Sequence, residues 1–407
     1  MLNNLRYWFI NKFQKVLNSI SFYPALIGLL FLVLAILMLG FDFSIQGKNV
    51  KSYISWLNIK DATTARSIIS AIAAGIISLA VFSFSMVMIV LNQAASQMSN
   101  RVLDKLIGNR FQQIVLGIYI GTIVYAFFLL STIRDIDSGL YIPSLSIYLL
   151  IIITISDIFL FIYFLHYITQ SVKYEVIVRR IFDNTFNVLR NNCAAKTEPT
   201  VEIQVNSEYF LHTNKTGIYE GFDSSSFLKI CEKHQLIIEI LVTPGTSLLK
   251  GSPFAKIDKQ VDKDVEEDIV SSVFINESES IDVNFFYGFR QLTEVALKAL
   301  SPGINDPGTA IIAIRSLFEL YAYRINHHPL SFIANKDGKA CVLVKVLNFD
   351  KIFADTMAPI WNYGKTDRMI QEELLLLIPQ LQNIGVKHQT VNVLLENVKI
   401  EHKKQLF

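Results

Sequence analysis

Four long apolar stretches, a mean hydropathy of +0.39 with only 18% charged residues, and a change to soluble texture near residue 197 predict the fold class. It is an α+β membrane protein, with four transmembrane helices followed by a cytosolic domain that combines a small β-rich module with a helical bundle. The apolar stretches are Phe22 to Phe41, Ile68 to Leu91, Ile114 to Ile133 and Leu145 to Ile168. Each is long enough for a bilayer, which takes about 20 residues, and none alternates as a barrel strand would. The first is too long for the apolar core of a secretory signal, and no small-residue cleavage site follows it.

The elements follow in order. Residues 1–20 place Trp8, Phe9, Phe13, Val16, Leu17 and Ile20 on one helical face with Arg6, Lys12 and Lys15 elsewhere, which predicts an interfacial helix. Residues 21–170 form the four-span membrane domain. Ten Lys and Arg in the N-terminal segment, the 92–113 loop and the stretch after the fourth span face five on the other side. Positive-inside then puts both termini in the cytoplasm. Helical spacing continues from Val172 to Asn191, so residues 171–196 are read as a stalk prolonging the fourth span.

Residues 197–260 are the β-rich module. Strands are expected at 201–205 and from Leu236 to Val242, a helix from Ser224 to His234, and turns at Gly217, Pro244-Gly245 and Gly251-Ser252-Pro253. Residues 261–407 are mainly helical, over 263–275, 284–300, 307–326, 350–363, 366–380 and 387–404, with one strand from Ala340 to Leu347.

Three constellations stand out. Along the second span, Ser67, Ala71, Ala74, Ser78, Ser85 and Asn92 fall near one line at helical spacing. Such a stripe either lines a water-filled path or lets a neighbouring helix approach closely. Asp157 lies mid-span in the fourth stretch, where an acid must face protein or water. It serves either conduction of a proton or cation, or an interhelical hydrogen bond to a Ser of the second span. Third, Ser301-Pro302-Gly303-Ile304-Asn305-Asp306-Pro307-Gly308 breaks the chain between two amphipathic helices. Pro302-Gly303 ends the first, with Gly303 free to take positive φ. Asp306 caps the second, and Pro307 is its first residue. The free N–H groups there suit an anion, but Asp306 fills that place, so the joint is read as a structural corner. Arg290, Glu294 and Asp282 could gather near it.

Phosphate-loop, dinucleotide, zinc-protease and nucleophile-elbow patterns are all missing, so no enzyme, metal or cofactor is expected. Cys193, Cys231 and Cys341 lack metal-ligand spacing and are expected on the reducing side. A net charge of +2 without a basic tract argues against nucleic acid.

Leu292 to Leu300 followed by Ser301 to Ala310 resembles the signature of a bacterial family of predicted membrane proteins, domain of unknown function 2254. Val81 to Ser85 leading to Gln93 to Arg101 resembles its second span, Gln113 to Gly117 the start of its third, and 217–257 its β module. The family often has a bulky residue where Gly308 stands. The resemblance implies this architecture over nearly the whole chain and no established activity. The 217–257 segment is also similar to barrel-sandwich domains of biotinyl carriers, without their lysine motif. The pattern as a whole is read as a homo-oligomeric ion channel or transport protein in the lipid bilayer, with a cytosolic assembly or gating domain. The alternative is a membrane-anchored sensor or scaffold whose cytosolic domain binds a protein or an unidentified small ligand.

Overall fold

Apolar composition sets the first half of the fold. The computed structural model describes residues 21–53, 59, 61–97, 110–136, 139–171, 173–193, 205–334, 339–385 and 388–404. The chain divides between Lys173 and Tyr174 into two compact units. The predicted helix at 1–20 and nearly all of the predicted strand at 201–205 lie outside the described residues.

In the first unit α1 runs Phe22–Phe43, α2 Ile45–Tyr53, α3 Ala62–Gln97, α4 Arg110–Thr132 and α5 Ser144–Ser171, with a hairpin of β1 Arg134–Ile136 and β2 Gly139–Tyr141 between α4 and α5. α1, α3, α4 and α5 are each long and apolar enough to cross a membrane. α1 and α4 pack most intimately. Their close approach needs Gly117 and Gly121 of α4, because a Cβ at Gly117 would stand 2.7 Å from Ile27 and one at Gly121 2.7 Å from Phe31. This four-residue glycine spacing is a familiar route to tight helix contact in lipid.

Asp42, at the end of α1, locks the same bundle at one end. It is fully buried, pairs with Lys51 Nζ at 2.8 Å, and accepts from the Ser146 backbone N–H and hydroxyl at 2.8 and 2.9 Å.

α5 runs to Ser171, and the residues predicted as the stalk carry a helix, α6, over Tyr174–Asn192. In the last turns of α5 the Thr169 and Ser171 hydroxyls bond the carbonyls of Leu165, His166 and Ile168.

The second unit comprises α6 and everything after it. β3 (Tyr209–His212), β4 (Gly217–Phe222), α7 (Ser224–His234), β5 (Ile238–Ile240), β6 (Thr246–Leu248) and β7 (Pro253–Ile257) lead to α8 (Lys263–Ser271) and β8 (Val273–Asn276). The helix predicted over 263–275 therefore ends early. Val273, Phe274 and Ile275 pair with β4, alternating buried and exposed as a strand requires. Then come α9 (Phe285–Ala299), α10 (Pro307–Arg324), β9 (Phe332–Ala334), β10 (Ala340–Val344), α11 (Phe349–Gly364), α12 (Arg368–Ile384) and α13 (Gln389–Lys404).

The strands form two sheets, one ordered β3-β7-β5-β10-β9 and one ordered β6-β4-β8. The five-stranded sheet is mixed, since β10 runs parallel to β5 while its other pairs are antiparallel. Strands from beyond residue 260 thus complete the sheets. A second core gathers the rings of Phe289, Phe318, Tyr321, Phe349 and Phe353 between α9, α10 and α11.

The predicted corner is present. α9 ends at Ala299, and the Asp306 N–H reaches back to the Ala299 carbonyl at 2.8 Å. Positive φ falls on Asn305 (48°) instead of Gly303, a conformation that Asn tolerates. Asp306 caps α10 by accepting from the Thr309 N–H at 3.1 Å and its hydroxyl at 2.6 Å, and Pro307 opens the helix. The Thr309 hydroxyl and N–H hold the Asp306 carboxyl below its ordinary value of 3.8.

Asp306→Ala is expected to lose about 0.5–2 kcal/mol of stability. Because the folded value is depressed, the contribution is complete above the unfolded value and is lost as pH falls through the folded one. Thermal melts of the detergent-solubilised protein across an acid series check this: Asp306→Asn, which caps without titrating, should lose part of the acid sensitivity.

Candidate functional site

The second-span stripe points away from its own bundle. Ser67, Ala71, Ala74, Ser78, Ser85 and Asn92 are all exposed, whereas Ala65, Ile69, Ala73, Ile76 and Ser83 form the buried face of α3. The two sets are offset by two residues, or about 200° around a helix. The Ser78 and Ser85 hydroxyls bond the carbonyls of Ala74 and Val81, both at 2.9 Å. They are satisfied within their own helix, so another helix can cover this face with little desolvation of polar groups.

Asp157 points the other way, into the bundle. It is 1% exposed and sits beside the Thr122 hydroxyl of α4, not beside a Ser of the second span. One turn along α4, Tyr119 lies within electrostatic reach of Asp157 and next to Ser83 of α3. Ser83 and Gln113 line a cavity of about 220 Å³ between α3, α4 and α5, walled by Phe84, Val87, Val115 and Phe164. It lies at the end of the bundle where α3 finishes and α4 starts.

Asp157, Tyr119, Ser83 and Gln113 share a further property. Each carries a buried side-chain oxygen without a well-formed hydrogen bond, and among the described residues of the first unit these are the oxygens in that condition. Tyr119 and Ser83 stand beside each other and can satisfy one another, which leaves one Asp157 oxygen and the Gln113 amide oxygen as the buried acceptors with room for water or an ion. Sequence reasoning singled out Asp157 and missed Ser83, Gln113, Tyr119 and Thr122.

The joint does not gather Arg290 and Asp282, two of the three residues read as its companions. Arg290 instead bridges to Glu279 at 3.1 Å, and Asp282 accepts from Ser280 at 3.1 Å. Asp282 precedes α9 and Asp306 follows it, which separates them by roughly 20 Å at 1.5 Å per residue. Asp306 has Tyr174 as an electrostatic neighbour. Among the described residues, no group of three or more His, Cys, Asp and Glu side chains could hold a metal ion. The second unit also carries a groove of about 420 Å³ between α10 and α12, closed at one side by a two-pronged Arg315–Glu373 ion pair.

Four membrane-length helices beside a second, mixed α/β unit fit a multi-pass membrane protein. The chain belongs to the family described as predicted membrane protein (DUF2254), whose model matches residues 17–379. It is 22% identical over 335 residues to the uncharacterized protein MT1328 of Mycobacterium tuberculosis, a match covering 77% of this chain and 63% of that protein. It is 21% identical over 327 residues to the uncharacterized protein Mb1321c of Mycobacterium bovis, with the same coverage. The chain thus spans 63% of the length of the relatives it matches. No solved structure matches it.

Proposed function

We propose that this protein is a homo-oligomeric transport protein for small ions in the bacterial inner membrane, with both termini cytoplasmic. The route runs through the polar file inside each protomer, and copies assemble through the outward stripe of α3. The observation that carries this reading is a buried mid-span Asp157 with an unpaired oxygen, within electrostatic reach of Tyr119, which stands beside Ser83 at a cavity that Ser83 and Gln113 line. A carboxylate at mid-membrane is expensive, and its retention with an unpaired oxygen fits an ion path better than a packing contact.

The stripe has a different chemistry. Its hydroxyls are already satisfied and its small residues suit close helix contact, so its role is assembly. Reconstitution in proteoliposomes under imposed pH and sodium gradients tests the proposal. The purified protein should carry flux above that of empty liposomes, and Asp157→Asn should abolish the excess. Flux no greater than in empty liposomes would count against transport.

A further inference from the structure

Among its described residues the first unit holds two deeply buried carboxylates, and they are treated in opposite ways. Asp42 has a cation at 2.8 Å and two donors from Ser146. Asp157 has the Thr122 hydroxyl beside it and an unpaired oxygen, and no ion pair among the described residues reaches it. The oxygen beside it is the neutral Thr122 hydroxyl, and Tyr119, which stands next to Ser83, is within electrostatic reach. Among the described residues, no charged side chain faces it. A lone carboxylate among hydroxyl oxygens suits a hard monovalent cation, either a hydrated proton or a sodium-sized ion.

The surroundings also give a direction. Tyr119 lies one turn from Thr122 toward the start of α4 and beside Ser83 of α3, and Ser83 lines the cavity at that end of the bundle together with Gln113. On the other side of Asp157 the buried polar groups are paired, Tyr125 with Ser146 and Ser146 with Asp42. Tyr125, one turn beyond Thr122, donates its hydroxyl to the Ser146 carbonyl at 3.2 Å. Ile69, Ala73, Leu129, Ile147 and Leu150 close around it in one apolar cluster.

We propose that Asp157 is a binding site for a monovalent cation, proton or sodium, reached from one membrane face only, the face where α3 ends and α4 begins. The proposal rests on the polar file being the transport route. It adds what the file holds, and it makes the protein a carrier with an occluded far side instead of an open pore.

Carbodiimide labelling of the unmodified full chain in membrane vesicles, read by peptide mass spectrometry, tests the site without requiring flux. Dicyclohexylcarbodiimide is apolar and reacts with protonated carboxyls. It should label Asp157 in preference to the ion-paired Asp42. For a proton site, labelling falls about tenfold for each unit of pH above the carboxyl's titration. For a sodium site, sodium at constant pH and ionic strength protects as well. Labelling of Asp157 insensitive to both, or no faster than at Asp42, overturns the proposal.

Access is tested with Ser83→Cys and Leu129→Cys in sealed vesicles of both orientations, using a membrane-impermeant thiol reagent. The native thiols give a low background, since Cys193, Cys231 and Cys341 are buried and burial raises Cys193 to about 11 and Cys231 to about 12. Ser83→Cys should react from one face alone and Leu129→Cys from neither. Reaction of Ser83→Cys from both faces, or of Leu129→Cys at a comparable rate, overturns one-sided access. Labelling at Asp157 without measurable flux would separate a true cation site from a failed transport reading.

Discussion

Gly288→Ala is expected to destabilise the protein by about 3 kcal/mol, the upper end of the usual range for overpacking. Gly288 lies on α9 where that helix crosses α6. A Cβ there would stand 1.8 Å from the Thr185 hydroxyl oxygen and 2.7 Å from both its Cβ and its Cγ2. Rotating Thr185 cannot relieve this, because its Cβ does not move with χ1. The rotation would also break the hydroxyl's bond to the Ile181 carbonyl at 2.6 Å. The two helices must therefore separate, opening the contacts that Ile177, Ile181 and Phe182 make as the buried face of α6.

Thr185→Gly removes all three clashing atoms, so the double variant should recover stability relative to Gly288→Ala alone. The recovery is limited by the cost of about 1 kcal/mol for glycine within a helix. Thermal melting of the full chain in detergent reads both effects. A Gly288→Ala melting temperature equal to that of the natural sequence would mean that the two helices are not packed as described.

Lys51→Met should cost about 3–5 kcal/mol, since it strips the cation from a buried carboxylate. Asp42 is fully buried, and its two oxygens are shared between Lys51 and the two Ser146 donors. With Lys51 gone, the Ser146 donors remain but the charge is unneutralised. Adding Asp42→Asn removes that charge, so the double variant should regain most of the loss. The loss is measurable as a lower melting temperature or a lower denaturant midpoint of the solubilised protein. A change typical of an exposed lysine would mean that the pair does not close this end of the bundle.

Much of the architecture could be read from the chain because it depends on composition and local chemistry. The four spans follow from apolar length, and α9 and α10 from the proline, glycine and aspartate between them. α7 begins at the predicted residue because Asp223 caps it and accepts from Ser225, and it ends as predicted where Gln235 turns left-handed at φ 53°. The early end of α8 was less legible, since Val273-Phe274-Ile275 fits a helix face as well as a strand until β4 is known to lie beside it.

The site was harder, for a geometric reason. Periodicity shows that Ser67 to Asn92 share a face of α3 but does not say which way that face points. Gln113, Tyr119 and Thr122 are spaced by six and then three residues, which leaves no regular stripe on α4. They become a set only when Ser83 and Asp157 arrive from other helices. Two signals could have been read earlier: the Gly117 and Gly121 spacing, and Asp42 within the last turn of the first span.

Hydroxyl-radical footprinting in the membrane tests the central claim, that Asp157 and its neighbours form a hydrated file in an otherwise dry bundle. Tyr119 and Tyr125 are the natural probes, because both are 0% exposed and lie on the same helix. The Tyr119 hydroxyl stands beside Ser83 at the cavity, whereas Tyr125 donates to Ser146 within the apolar cluster. Radicals formed from internal water should modify Tyr119 rapidly and leave Tyr125 protected. Equal protection of the two tyrosines would mean that the file is dry and that Asp157 is not reached by water or ions.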